Sequence, residues 1–195
     1  MKRAKRLKEF TKEIIKYLGS GYKYAKVVSI PSKKAHRSNE IAKKVSEYYQ
    51  TDLSRGKRQH RRRKDLANYG AVMFQDRLIV ILRTSGEHND NDGEFKEVSK
   101  LEVNLSEWIG LVFFKNELGR WTVRVSRETY RRVKLDIQLA IKNGNGRTYH
   151  KLLDMWRALP WWRGIGRQSS ELHRFIKEEL KKYKRAWQPL YVKSV

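Results

Sequence analysis

The residues with the plainest chemical purpose form one short run, Arg55-x-Lys57-Arg58-Gln59-His60-Arg61-Arg62-Arg63-Lys64, in which seven of ten side chains are cationic at neutral pH. Wound into a helix, ten residues make nearly three turns, so the charges cover most of its circumference. Such a segment repels itself and buries poorly, and a polyanion laid beside it removes the repulsion. Arginine suits phosphate because its planar fork donates two parallel hydrogen bonds, whereas lysine acts as a point charge. Each phosphate neutralised releases condensed counterions, which drives binding and makes it fall steeply with salt. The run predicts Arg55, Lys57, Arg58, Arg61, Arg62, Arg63 and Lys64 as nucleic-acid contacts, against the alternatives of a localisation-like signal or a solvated connector. It carries no information on sequence specificity. His60, inside the run, is expected as a contact and not as a base.

A second segment of this kind is Leu159-Pro160-Trp161-Trp162-Arg163-Gly164-Ile165-Gly166-Arg167-Gln168. Adjacent tryptophans cannot both face a core from regular backbone. Exposed aromatics beside arginines form a stacking platform for single-stranded bases, and glycine-rich backbone near a helix start can hold a phosphate. Trp161, Trp162, Arg163 and Arg167 are therefore expected contacts, the alternative being that at least one tryptophan caps the core. The glycines are no dinucleotide fingerprint, since a third glycine and a preceding strand are missing. Cationic stripes supplement the two segments: Lys23, Lys26, Lys33, Lys34 and Arg37; Arg120, Arg124, Arg127, Arg131 and Arg132; and Lys177, Lys181 and Lys184 on the outside of the last helix. Arg120 and Arg124 alternate with Trp121 and Val123, which predicts that they line the wet face of a sheet. With the 55–64 run, that face would wall a groove.

Catalytic patterns are weaker. Residues 88–93 (HNDNDG) resemble half a calcium loop, but the position that needs a bidentate acid falls on Ser99, which excludes it. Glu94 and Lys96, with Asp90 or Asp92, are loosely similar to the acid-then-E-x-K arrangement of metal-dependent nucleases, in which two carboxylates hold a metal ion and a lysine stabilises the attacking water. An acidic hairpin tip accounts for the same residues. The five histidines are scattered, with no metal-binding spacing. No serine nucleophile motif and no phosphate loop is present, and with no cysteine, thiol catalysis and thiolate zinc sites are excluded.

The elements that must position these residues are legible from periodicity. Leu7, Phe10, Ile14 and Leu18 recur at helical spacing over 3–18, and YAKVVSI before Pro31 reads as a short strand. Ser38 is a plausible cap for a helix to Tyr49, and the basic run is expected to be helical on both sides of Gly56. From Tyr69 the pattern changes to GAVMF and RLIVILRT about a Gln75-Asp76 joint, a hairpin. Residues 85–93 read as loop. Alternation at Leu101, Val103 and Leu105, then IGLVFFK and RWTVRV about a second turn, completes a four- or five-stranded antiparallel sheet over 69–125. Ser126 caps a helix with Tyr130, Val133, Ile137 and Ile141 on one stripe; a second helix spans about 147–159. Pro160 opens an irregular link, and the last helix is expected to begin near Ser169 or Ser170. The tail, QPLYVKSV, is expected to dock back.

The expected fold class is α+β: helices at both ends flanking a central four- or five-stranded antiparallel sheet, in one domain over 1–195. Within it, 1–68 is a basic, mainly helical part, 69–125 the sheet and 126–195 a basic helical part. The charge falls in three zones with nearly the same bounds, 21 basic and 6 acidic side chains in 1–68, 5 and 9 in 69–119, and 19 and 6 in 120–195. The net charge of +24, with six tryptophans, ten tyrosines and six phenylalanines, describes a folded basic protein rather than a disordered one. The longest apolar runs fall far short of the roughly 18 residues a membrane span needs. The basic amino terminus has no apolar stretch behind it, so no secretory signal is expected, and the expected location is cytoplasmic, in a reducing compartment.

The leading expectation is a non-enzymatic nucleic-acid-binding protein, RNA preferred over DNA, as in a small ribonucleoprotein component, with no cofactor, no metal and no membrane partner. Two alternatives differ in class. One is a metal-dependent nuclease or strand-transfer protein of a mobile element or small replicon, using Glu94, Lys96 and Asp90 or Asp92. The other is a self-assembling structural protein, a homo-oligomer in which the acidic 87–107 segment of one copy meets the basic flanks of another.

Overall fold

In the computed structural model, which describes residues 1–88, 94–106 and 109–187, the chain is a mixed α+β protein. Among the described residues it has six α-helices and two β-sheets, of five and three strands. Its backbone contacts divide it into two compact units, Met1–Leu101 with Phe114–Trp121 and Glu102–Phe113 with Thr122–Val195.

The first unit contains β1 (Lys2–Ala4), α1 (Leu7–Gly19), β2 (Tyr22–Ser29), α2 (Ser38–Tyr48), α3 (Arg55–Arg63), β3 (Tyr69–Phe74), β4 (Leu78–Thr84) and β5 (Lys96–Glu97). Its sheet runs in the order β1-β3-β4-β2-β5. Strands β3 and β4 form the expected hairpin, with Val72 opposite Val80. Gln75 and Asp76 at its tip take φ of 46° and 55°, Arg77 N donates to Phe74 O at 3.1 Å, and the pairing of Phe74 with Leu78 makes the connection three residues long. Every residue of both strands is buried because both faces of the sheet are covered. On one face Phe74 meets Phe10 of α1, ring centroids 5.0 Å apart, and Gly70 lets the Tyr17 ring approach where a Cβ would stand 2.3 Å from it. On the other face Ala71, Met73, Ile79 and Ile81 join Ala42, Tyr49, Tyr69 and Ile30, with Ile41 and Val45 of α2 packed against them. Two-sided burial explains why GAVMF and LIVIL are continuous apolar runs instead of alternating ones.

This arrangement corrects the expectation of one antiparallel sheet over 69–125. That stretch is shared between two sheets, and the larger one recruits β1 and β2 from ahead of it. It is also mixed, because β1 lies parallel to β3, Lys2 opposite Val72. A three-residue strand of sequence KRA has no apolar alternation to reveal it; pairing with β3, the burial of Ala4 and the bond from Arg3 to Asn39 Oδ1 hold it in place. Strand β2 pairs antiparallel with β4 over its length and with β5 at Tyr24 and Ala25.

The three-stranded sheet runs in the order β6-β7-β8, the strands being Lys100–Asn104, Gly110–Lys115 and Trp121–Val125; most of their residues fall in the second unit, which continues with α4 (Arg127–Lys142), α5 (Gly146–Arg157) and α6 (Arg163–Lys182). Ser126 caps α4 by accepting from Thr129 N, and Asn145 caps α5 by accepting from Thr148 N. Ile137, Ile141, Tyr149, Leu153, Leu172 and Ile176 are fully enclosed, and the buried Trp156 donates its indole N–H to Ser169 Oγ at 2.8 Å. Helix α6 begins six residues before the earliest expected start, directly after Trp162, so the expected irregular link is only three residues long. Its two early glycines serve packing: a Cβ on Gly164 would lie 2.5 Å from the Val123 carbonyl oxygen of β8. The Gln168 side chain then bonds both the amide and the carbonyl of Val125, at 2.8 and 3.0 Å, occupying β8 backbone groups as a neighbouring strand would. The tail QPLYVKSV and most of the 85–93 loop lie outside the described residues.

Candidate nucleic-acid interface

Helix α3 forms although it contains no buried residue, and local chemistry accounts for it. Ser54 caps it by accepting from Lys57 N, and the cations of its last turn complement the negative end of the helix dipole. Its cations then divide into two sets. Arg58 turns inward: Nη2 donates to Thr51 O at 2.6 Å and Nη1 to Tyr22 Oη at 3.5 Å, while its Nε is buried without a partner. Arg61 donates from Nε to Ala67 O at 3.0 Å and from Nη1 to Gln50 Oε1 at 3.4 Å, and Arg62 reaches Ser20 O at 3.3 Å. These three hold the helix to the body of the unit. Burial pushes the Tyr17 and Tyr22 phenols up, and the Arg58 guanidinium beside them opposes the shift.

The second set is Arg55, Lys57, Arg63 and Lys64. All four are exposed, and their side chains make no hydrogen bond or ion pair among the described residues. With Gln59 and His60, also exposed, they form the outer surface of α3. Free cations this dense are the direct precondition for a phosphate track.

Gln50 lines three hollows, two of which adjoin this helix. One, of about 400 Å³, lies against α3 itself, between Leu53, Gly56, Lys57, His60 and Arg61. A second, of about 500 Å³, is bordered by Arg3, Asn39, Lys43 and Asp52. There the Met1 ammonium and the Ser46 hydroxyl donate to Asp52 and hold its carboxyl below the usual range. The third, of about 350 Å³, is aromatic: Tyr48, Tyr49 and Tyr69 line it with Arg61, Glu87 and His88. Tyr48 is 67% exposed and stands edge-on to the buried Tyr49, at 81° between ring planes. Gln50 itself takes φ of 51°, in the left-handed region that a glutamine seldom occupies. Strained backbone of this kind concentrates at functional sites.

In the second unit, the early start of α6 places Arg163 and Arg167 on the same helix as Lys177 and Lys181. Arg163, Arg167, Ser170, Arg174, Lys177 and Lys181 recur at three- and four-residue steps, so they share one face, and all are exposed. At 1.5 Å per residue the stripe is about 27 Å long. Trp161, 48% exposed, lies against Gly166 at the start of this helix, while Trp162 is half-buried at its cap. Arg131 of α4 is exposed, and Lys184 follows the end of α6 with φ of 51°.

Arg124 is exposed on β8 between the buried Val123 and Val125, and Arg120 is exposed in the turn before that strand. Arg120 and the 55–64 run belong to the first unit, Arg124 to the second. Glu94 is ion-paired to Lys26 at 2.8 Å, and Lys96 is exposed on β5. Asp90 and Asp92 lie outside the described residues, and among the described residues no group of three acids or histidines could hold a metal ion.

Sequence reasoning missed Gln50, Tyr48, Glu87 and Arg174. Only Arg174 leaves a signal, its helical spacing from Lys177 and Lys181 within the expected last helix. The chain matches no protein-family model, no curated protein and no solved structure.

Proposed function

We propose that the protein is a nucleic-acid-binding protein that prefers single-stranded RNA and acts by binding rather than catalysis. The observation that carries this reading is the outer surface of α3, where Arg55, Lys57, Arg63 and Lys64 are exposed with no acid against them. Arg58, Arg61 and Arg62 hold the helix to the body of the unit, so its backbone loses little freedom when phosphates bind. The α6 stripe supplies a second cationic surface. The preference for RNA single strands is supported by aromatic rings beside each cationic surface, Tyr48 near α3 and Trp161 at the start of α6, since every base offers a π-face for stacking.

The test is binding of a labelled single-stranded RNA followed by fluorescence anisotropy at several salt concentrations. Four phosphate contacts give a slope of log K against log salt near about −3, which is roughly a 50-fold loss between about 50 and 200 mM. Affinity that stays flat over that range, or equal affinity for duplex DNA, overturns the reading.

A further inference from the structure

We infer that the aromatic hollow beside α3 is a subsite for one unpaired guanine base. The inference rests on the nucleic-acid reading above and adds a specificity to it.

The hollow has the wrong polarity for a phosphate alone. One of its linings, Glu87, is a carboxylate with no hydrogen bond or ion pair among the described residues. In a chain of net charge +24 an unpaired acid inside a basic surface repels the phosphate backbone. It is well placed for a ligand that offers N–H donors. The backbone holds Glu87 there firmly. Its amide donates to Asp65 O at 2.7 Å and its carbonyl accepts from Ala67 N at 2.9 Å. Gly86, at φ of 118°, lets this segment press against 65–67, where a Cβ would meet Asp65 O at 2.6 Å. Asp65 in turn has φ of 52°. Glu87 is therefore positioned by two strained or close-packed points rather than left to wander.

The remaining linings complete a base site. The exposed Tyr48 ring offers a stacking face, Gln50 contributes an amide held by its constrained backbone, and Arg61 arrives pre-oriented by its two hydrogen bonds. A carboxylate accepts best from two adjacent N–H groups. Guanine is the base whose pairing edge presents such a pair, N1–H beside the N2 amino group. Uracil and thymine present one N–H between two carbonyls that the carboxylate repels, and adenine and cytosine present a single amino group. Recognition requires that edge to be free, so the base must be unpaired.

The experiment compares a labelled oligouridine with the same oligomer carrying one central guanosine, against wild type, Glu87→Gln, Glu87→Ala and Tyr48→Ala. Wild type is expected to bind the guanosine oligomer roughly tenfold more tightly. Glu87→Gln and Glu87→Ala are expected to abolish that preference and to bind plain oligouridine as tightly or more tightly, because a repulsive charge is gone. A merely structural role for Glu87 would weaken both oligomers together. Tyr48→Ala is expected to weaken every oligomer by a similar factor. A parallel arm with oligothymidine and a single deoxyguanosine separates RNA from DNA as the source of the base. Wild type binding both oligomers equally, or the Glu87 variants keeping the preference, overturns the guanine subsite while leaving nucleic-acid binding intact. Wild type binding neither oligomer overturns both.

Discussion

Arg58 and Arg63 sit on one helix and serve opposite purposes. Arg58 is half-buried, bonded to Thr51 O, with its Nε enclosed, so truncating it leaves the Thr51 carbonyl and Tyr22 hydroxyl without their partner. Arg58→Ala is expected to lower stability by about 1–3 kcal/mol in a denaturant titration. Arg63→Ala with Lys64→Ala removes two free cations from the surface; stability should stay within about 0.5 kcal/mol while RNA affinity falls and the salt slope shrinks by roughly one per charge. Gln50→Gly separates backbone from side chain: glycine relieves the φ of 51°, so the melting temperature should hold or rise, while RNA binding weakens. Two tyrosines set an alkaline limit. Burial pushes both Tyr130 and Tyr149 up to about 12, Glu171 adding to the shift at Tyr130 and Arg157 opposing it at Tyr149. Below the ordinary value of 10.0 both are neutral whether the chain is folded or not. Between about 10 and about 12 the unfolded chain gives up protons that the folded one keeps, so stability falls as pH rises through that window. Denaturation midpoints across it should fall for wild type and flatten in the Tyr130→Phe, Tyr149→Phe double variant.

Helix α6 shows how an element decides what its residues can do. Its start at Arg163 depends on close approach to β8, which only a glycine at 164 permits. Gly164→Ala would bring a methyl to 2.5 Å from the Val123 carbonyl oxygen. A clash of that kind costs about 1–3 kcal/mol, more than the roughly 1 kcal/mol that alanine gains in helix propensity. Gly56 in α3 has open space around its Cβ position, so Gly56→Ala should instead stabilise, by up to about 1 kcal/mol. Opposite signs for the two glycines, read by thermal denaturation, check both placements. If α6 presents its stripe to phosphates, Arg174→Glu should reduce RNA affinity as much as Lys177→Glu does, although Arg174 lies outside the expected contacts.

For the whole molecule the governing quantity is +24 on 195 residues. Like charges at this density repel one another in the folded state, so added salt should stabilise the free protein; under the proposed function, RNA that favours the folded form should stabilise it further. Melting temperatures are expected to rise with potassium chloride in the absence of RNA, and to rise with RNA at low salt. That second rise should disappear at high salt. An RNA-induced shift that survives high salt would contradict binding governed by phosphate charge.

Much of this was legible in the residues themselves. The charge surplus, the basic run, the Gln75-Asp76 hairpin, the cap at Ser126 and the apolar stripes of α1 and α4 follow from composition, local turn chemistry and period, which are properties of neighbours in the chain. What tertiary structure alone decided depends on residues distant in sequence. Strand β1 exists because β3 offers it hydrogen bonds, and α6 starts early because Gly164 fits against Val123. The division of α3 into anchoring and free cations is partly of the same kind, since Tyr22 and Ser20, far back in the chain, accept from Arg58 and Arg62. So is the hollow that brings Tyr48 and Gln50 together with Glu87, from two segments well apart in the chain. Periodicity reports which side of an element is apolar. It carries no record of which polar group, far along the chain, will be waiting there.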